Sequence, residues 1–246
     1  KTADETLEIW GREAMLSDVV RVIRTFQPDV IVTRFPVDGA CGHGHHTASA
    51  LLAEEAFEAA ADPKRFPDQV AAGLEPWRAK RLVWNAFRFG GAGPDTTPGR
   101  LRIDLGAYDP LLARSYTELA GESRSMHRSQ GFGSAERRGR WENTFEHRAG
   151  DRAKDDLFDG VDLTWKRVPG GAKVTVALER ALKAYDARRP QAIVPLLLDA
   201  DAAMAALPRQ PIVRHRREEL AGVIRAAAGL WVEAVAARAL ASPGSS

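Results

Sequence analysis

Asp29-Val30-Ile31-Val32-Thr33-Arg34-Phe35, then Gly42-His43-Gly44-His45-His46-Thr47-Ala48-Ser49, then Ala50-Leu51-Leu52-Ala53-Glu54-Glu55-Ala56-Phe57. The first run is apolar and rich in β-branched residues, which suits a buried strand. The last reads as a helix. The middle is a glycine-spaced loop carrying three of the chain's six histidines. Strand, loop and helix in that order predict an α/β fold with the loop at the carboxyl end of a strand, where sites in open α/β sheets are built. Imidazole is a common zinc ligand and carries a proton near neutral pH. With a helix starting near His46, both His43 and His46 can face one cavity, while His45 points elsewhere. Gly39, Gly42 and Gly44 permit backbone angles that let the loop close tightly. Two histidines do not complete a catalytic zinc site, which takes three protein ligands and a water.

Composition sets wide bounds. The chain has 246 residues, 44% hydrophobic and 28% charged, enough for a globular core and for one or two domains. A net charge of +2 gives no argument for a nucleic-acid surface. Cys41 is the single cysteine, so no intrachain disulfide can form. No run is long and apolar enough to span a membrane, and no signal peptide is visible. The chain opens on Lys1-Thr2-Ala3-Asp4 without Met and reads as a piece of something longer, so the compartment is left unknown.

Outward from the histidines, Thr2 to Phe26 reads as one helix stopped by Gln27-Pro28. A short helix is expected from Pro67 to Gly73, a second strand from Arg81 to Phe87, and a loop over Gly90 to Gly99. Leu101 to Leu105 alternates as an edge-like strand, and a long helix is expected from about Pro110 to Ser125. Ser134 to Arg152 is densely charged and reads as a solvated connection, or else as a substrate-facing loop rich in anion donors. From Val174 the chain reads as helical, over Val174–Ala187, Gln191–Leu207 and Val213–Leu240, punctuated by prolines. The expected domains are therefore an α/β domain over 1–150 and a helical extension over 151–246.

On the Gly42-His43-Gly44-His45-His46 segment, then Ile103-Asp104, then His127-Arg128-Ser129-Gln130, the chain resembles the LmbE/PIG-L family of metal-dependent de-N-acetylases. The resemblance is firm over roughly the first half, and the His127 segment with the helical tail is similar to the longer bacterial members. It implies a Rossmann-like, mostly parallel sheet that lacks its first strand here, with a C-terminal α-helical extension. It implies that His46 is a zinc ligand and that His43 acts as acid or polarises the substrate carbonyl. It implies a zinc-dependent hydrolase that removes the acetyl group from an N-acetylglucosamine-type conjugate, with another divalent metal as a possible substitute. The partners implied are a small-molecule sugar conjugate and further domains of a longer chain.

The chain departs from the family pattern in two positions and one missing segment. His45 stands where aspartate is usual, and Cys41 where tyrosine is frequent. The family's His-Pro-Asp-Asp segment, which supplies one His and one Asp to the metal and another Asp as base, does not occur. It is expected before Lys1, so the piece alone is expected to bind zinc weakly and turn over nothing. His127 is read chiefly as a cap on its helix C-terminus, and His147 and His215 as surface residues. The alternatives are a non-catalytic α/β module with a helical docking tail (Leu196, Leu197, Leu220, Ile224, Leu230, Trp231), a different metal hydrolase, or a Cys-His acyl transferase using Cys41.

Overall fold

The protein is described from a computed structural model, which covers residues 2–40, 43–86, 97–130 and 133–235. Compact units divide after Val161: Lys1–Val161 and Asp162–Ser246. Residues 151–161 stay with the first unit because Arg81 draws them in. Its guanidinium donates to the carbonyl oxygens of Asp151 (3.0 Å), Leu157 and Asp159.

The first unit starts with two helices where the pattern predicts one. Gly11 takes φ 77° and separates α1 (Ala3–Trp10) from α2 (Arg12–Phe26). A positive φ costs glycine little, so the chain turns there without breaking the apolar stripe. Then come β1 (Val30–Thr33), α3 (Gly44–Ala59), α4 (Pro67–Ala71), β2 (Arg81–Asn85) and β3 (Leu101–Asp104). The expected helix from Pro110 starts later. Tyr108–Asp109 (β4) and Arg114–Ser115 (β5) pair as a small hairpin, with Ala113 at φ 55°, and α5 runs over Tyr116–Ser125. Ser115 and Glu118 form a reciprocal capping box that fixes this start.

The charged segment read as a connection contains β6 (Glu142–Gly150), an interior strand of the sheet. The strand order is β1-β2-β6-β3. β1 and β2 pair in parallel, with Thr33 opposite Trp84. β6 runs antiparallel to both β2 and β3. Three strands thus share a direction and one opposes them, so the fold is mixed α/β and the sheet is mostly parallel in strand direction, as expected, with β6 as an antiparallel member. Charged β6 residues are accommodated by ion pairs. Arg148 donates to Glu54 on α3 (2.6 Å) and to Glu146 (3.0 Å), and Glu146 also takes Arg100. Burial raises the Glu146 carboxyl pKa, but these two arginines outweigh it and hold the group below the usual range.

The core of this unit joins α1, α2 and α3 through Leu7, Leu16, Val20, Ile23, Leu52 and Ala56. A smaller cluster of Phe57, Ala79 and Leu82 lies between α3 and the sheet. The second unit is helical: α6 (Ala172–Ala184), α7 (Val194–Ala205) and α8 (Pro211–Ala228), with 3₁₀ turns at Trp165–Arg167 and Pro190–Ile193. Val174, Ile193, Leu197, Met204, Val213 and Leu220 form its core. α8 ends earlier than its composition suggests. Gly229 adopts the left-handed conformation and its N–H caps Ala226 O, which closes the helix. Of the apolar residues expected as a docking stripe, Leu197 and Leu220 are buried, Leu196 and Ile224 pack on the core, and Leu230 and Trp231 are exposed.

Candidate functional site

β1 and β2 run side by side, so their carboxyl ends lie together, and the histidine loop follows β1. His43 is the N-cap residue of α3, with extended backbone angles (φ −124°, ψ 123°), and its carbonyl accepts the His46 and Thr47 N–H groups at 3.0 and 3.3 Å. His46 therefore sits one turn into the helix, on the same end. The two rings meet edge to face, with centroids 5.2 Å apart. Phe35, just past β1, lies flat against His46 at 3.7 Å with planes 2° apart. That stack fixes the imidazole plane. His46 Nδ1 is buried and has no hydrogen-bond partner among the described residues. A buried polar atom without a partner costs free energy unless something takes it up.

The glycines of the loop divide the work. Gly39 has φ 77°, the freedom foreseen for tight closure. Gly44 serves contact instead: a Cβ there would lie 2.2 Å from Thr2 O and 2.7 Å from Thr6 Oγ1. Its missing side chain lets the start of α3 abut the start of α1. Gly42 and Cys41 lie outside the described residues.

His45 leaves the pair. Its ring stacks on Trp10 of α1 at 5.0 Å, with planes 9° apart. His127 Nδ1 lies 3.2 Å from Ser123 O, one turn back along α5, so the ring meets its own helix end. Gly131 and Phe132, which close the His127 segment, lie outside the described residues. Asp104, of the Ile103-Asp104 pair, accepts the backbone N–H groups of Trp141 (2.8 Å) and Gly106 (2.9 Å), and these lower its pKa. It anchors the start of β6 to the end of β3.

His147 is not the surface residue its sequence suggested. It lies half-buried on β6, beside a bulge where Val83 pairs with it and Leu82 with Ala149, leaving Arg148 as the extra residue. Its Nδ1 is buried without a partner among the described residues. Burial lowers its pKa, and Arg152 and Arg81 lower it further against the opposing pull of Asp151. A folded-state histidine pKa below the unfolded value near 6.5 means that the unfolded chain binds the proton better. Stability should therefore be complete above about pH 6.5 and fall as pH drops below it, by at most about 1.4 kcal/mol per pH unit from this one group. Urea unfolding of wild type and His147→Leu across that range measures it. The slope should flatten in the variant, and equal slopes would remove His147 as the cause.

Sequence patterning missed two polar residues at this sheet edge. Arg34 directly follows β1, and Asn85 is the last residue of β2. Arg34 Nη1 donates to Asn85 Oδ1. The Asn85 amide nitrogen donates in turn to Asn143 Oδ1 on β6 (3.2 Å) and to Thr144 O (3.5 Å). The signal that could have found them is their place: Arg34 is the first charged residue after the apolar run of β1, and Asn85 is the polar residue that ends the Leu82-Val83-Trp84 run of β2.

Zinc is partly met by these residues. His46 offers an uncommitted imidazole nitrogen and His43 lies across from it. Among the described residues, however, no group of three or more His, Cys, Asp or Glu could hold a metal ion. The described residues thus supply at most part of a zinc ligand set.

The class of protein this chain is similar to is a deacetylase. One relative is named 1D-myo-inositol 2-acetamido-2-deoxy-alpha-D-glucopyranoside deacetylase, from Rhodococcus opacus (strain B4). It is 40% identical over 72 residues, 29% of this chain and 23% of that protein. A protein of the same name from Streptomyces scabiei (strain 87.22) is 40% identical over 67 residues, 27% of this chain and 19% of that protein. The chain thus matches less than a quarter of the length of either relative. No family model and no solved structure matches it.

Proposed function

We propose that this chain carries part of the active centre of a metal-dependent amidohydrolase that removes the acetyl group from an N-acetylglucosamine-type conjugate, on a Rossmann-like frame. The observation that carries the reading is the His43–His46 pair at the start of α3, with a buried nitrogen of His46 that has no partner among the described residues. The similarity to two named deacetylases supports it.

Hydrolysis adds water across the amide and gives acetate and an amine. His46, clamped by Phe35, is the residue that would hold zinc, together with donors beyond the described set. Zinc, when bound, lowers the pKa of its water towards about 7 and polarises an acyl oxygen. His43 is exposed and edge-on to His46. It is placed to stabilise the developing oxyanion or to pass a proton to the leaving nitrogen, roles worth about 10²–10⁴-fold in rate.

The test uses the full-length protein and measures acetate release from an N-acetylglucosaminyl-inositol, alongside bound metal by mass spectrometry. His46→Ala should lose both metal and activity, by about 100-fold or more. His43→Ala should keep the metal and lose about 10²-fold in kcat. Full activity in His46→Ala would defeat the reading and leave a non-catalytic α/β module with a helical extension.

A further inference from the structure

The second unit has a cleft of its own, about 1160 Å³, between the end of α7 and the length of α8. Its floor is apolar. Met204 and Val213 are buried there, and Leu207 and Ile224 pack on the same core. Its rim is basic, with Arg209, Arg214, Arg217 and Arg225 standing against Asp201 and Glu218. Asp201 is taken by Arg217, which donates to its two oxygens at 2.8 and 3.0 Å. The rim therefore keeps a positive excess.

α8 ends beside this cleft. Ile224 and Arg225 line it, and the helix closes just beyond them at Gly229. The Gly229 N–H donates to Ala226 O at 3.1 Å and the Leu230 N–H to Arg225 O at 3.0 Å. That pair of bonds reverses the chain and fixes its exit. The exit run is Leu230-Trp231-Val232-Glu233-Ala234-Val235, in neither helix nor strand. Leu230, Trp231, Val232 and Val235 are 62%, 76%, 83% and 80% exposed, so the run is not seated in the cleft of its own chain. Contiguous apolar side chains left in water mark an interaction surface.

Run and cleft match in size, polarity and charge. Apolar side chains meet an apolar floor, and Glu233, the one charge of the run, meets the basic rim. The residues of α8 that line the cleft extend from Pro211 to Arg225, about 21 Å at 1.5 Å per residue, and six extended residues reach about 20 Å. The volume also favours a peptide, since small-molecule sites run to about 300–1,000 Å³.

We propose that the second unit is a dimerisation module, in which residues 230–235 of one copy lie in the α7–α8 cleft of a second copy and the exchange is reciprocal. Two-fold exchange covers both runs and fills both clefts, which closes the assembly at two chains. Trp231 is the anchor, a large side chain entering an apolar cleft. The inference stands independently of the deacetylase reading.

Sedimentation velocity of the full-length protein should show a dimer with a Kd at or below about 10 μM. Trp231→Ala should weaken it about thirtyfold. Ala221→Arg, which obstructs the cleft from α8, should weaken it as much. Both positions are exposed in the single copy, so the circular dichroism and Tm of each variant should match wild type. Cross-linking separates the occupants. In a Cys41→Ser background, Val232→Cys chains mixed with Ala221→Cys chains should form a disulfide between copies under mild oxidation. A monomer whose Val232→Cys/Ala221→Cys chain closes only on itself has its run in its own cleft, and overturns the proposal. A monomer with no such cross-link overturns it too and leaves the cleft to another partner. A dimer that both Trp231→Ala and Ala221→Arg leave intact places the contact on another surface, with the same result.

Discussion

Replacing Arg24 with methionine should destabilise the first unit by about 3–5 kcal/mol, the cost of emptying a buried, fully bonded charge site. For a unit of this size that lowers Tm by about 10 °C. Arg24 lies on α2, is 1% exposed, and its guanidinium is wrapped by carbonyl oxygens. It donates to Ala59 and Ala60 at the C-terminal end of α3, at 3.3 and 3.2 Å. It donates also to Asp62 (2.8 Å), Arg65 (2.9 Å) and Phe66 (3.2 Å) in the following loop, and to Gln69 Oε1 on α4 (3.4 Å). Burial lowers its pKa, and Asp62 and Asp68 oppose that fall.

The physics is that of a helix end. The last carbonyls of α3 have no partner within the helix, and a cation there is favoured. Arg24 supplies that cation from a neighbouring helix and gathers the loop in the same step. Methionine fills the volume and leaves those oxygens facing apolar surface. Lysine should not rescue, because three donors on a point charge cannot reach six acceptors spread over a plane. Denaturant unfolding of Arg24→Met and Arg24→Lys measures both, and a loss under about 1 kcal/mol in either would mean that water replaces the guanidinium freely.

The second large effect is expected at Arg81, also 1% exposed. Arg81→Met should cost about 3 kcal/mol or more, on the same grounds. It should also free residues 151–161 for proteolysis. Three carbonyls in that segment converge on the guanidinium, while Asp159 ties the segment to itself by accepting the N–H groups of Lys154, Asp155 and Asp156. Those backbone donors lower the Asp159 pKa. The internal turn should therefore survive while its attachment to β2 is lost. Limited proteolysis followed by mass spectrometry locates the cut, and an unchanged digestion pattern would show that Lys80–Asp151 (3.0 Å) and the backbone suffice to hold the segment.

What could be read from residue patterns follows from how local the deciding interactions are. β1, α3 and β2 were legible because their apolar residues are contiguous or periodic and face one core. β6 was not. Glu-Asn-Thr-Phe-Glu-His-Arg-Ala-Gly looks solvated until Arg100 and Glu54, each more than forty residues away in sequence, neutralise its charges. The break at Gly11 hid inside a helical stripe because α1 and α2 both turn apolar faces to α3. The histidine window stood out by composition alone. The Arg34–Asn85 contact did not, since it exists only because parallel pairing sets the ends of two strands side by side.

The place of β6 governs the order in which this sheet can be completed. β2 and β3 flank a slot that is filled by a strand emerging more than thirty-five residues after β3 ends. Until that strand arrives, both flanking strands present open ladders of unpaired amides, the kind of edge on which nascent chains associate with one another. Assembly of the sheet therefore waits on long-range closure, a slow class of step. During synthesis, the interval between ribosomal exit of Asp104 and of Gly150 is when this chain has most need of a chaperone.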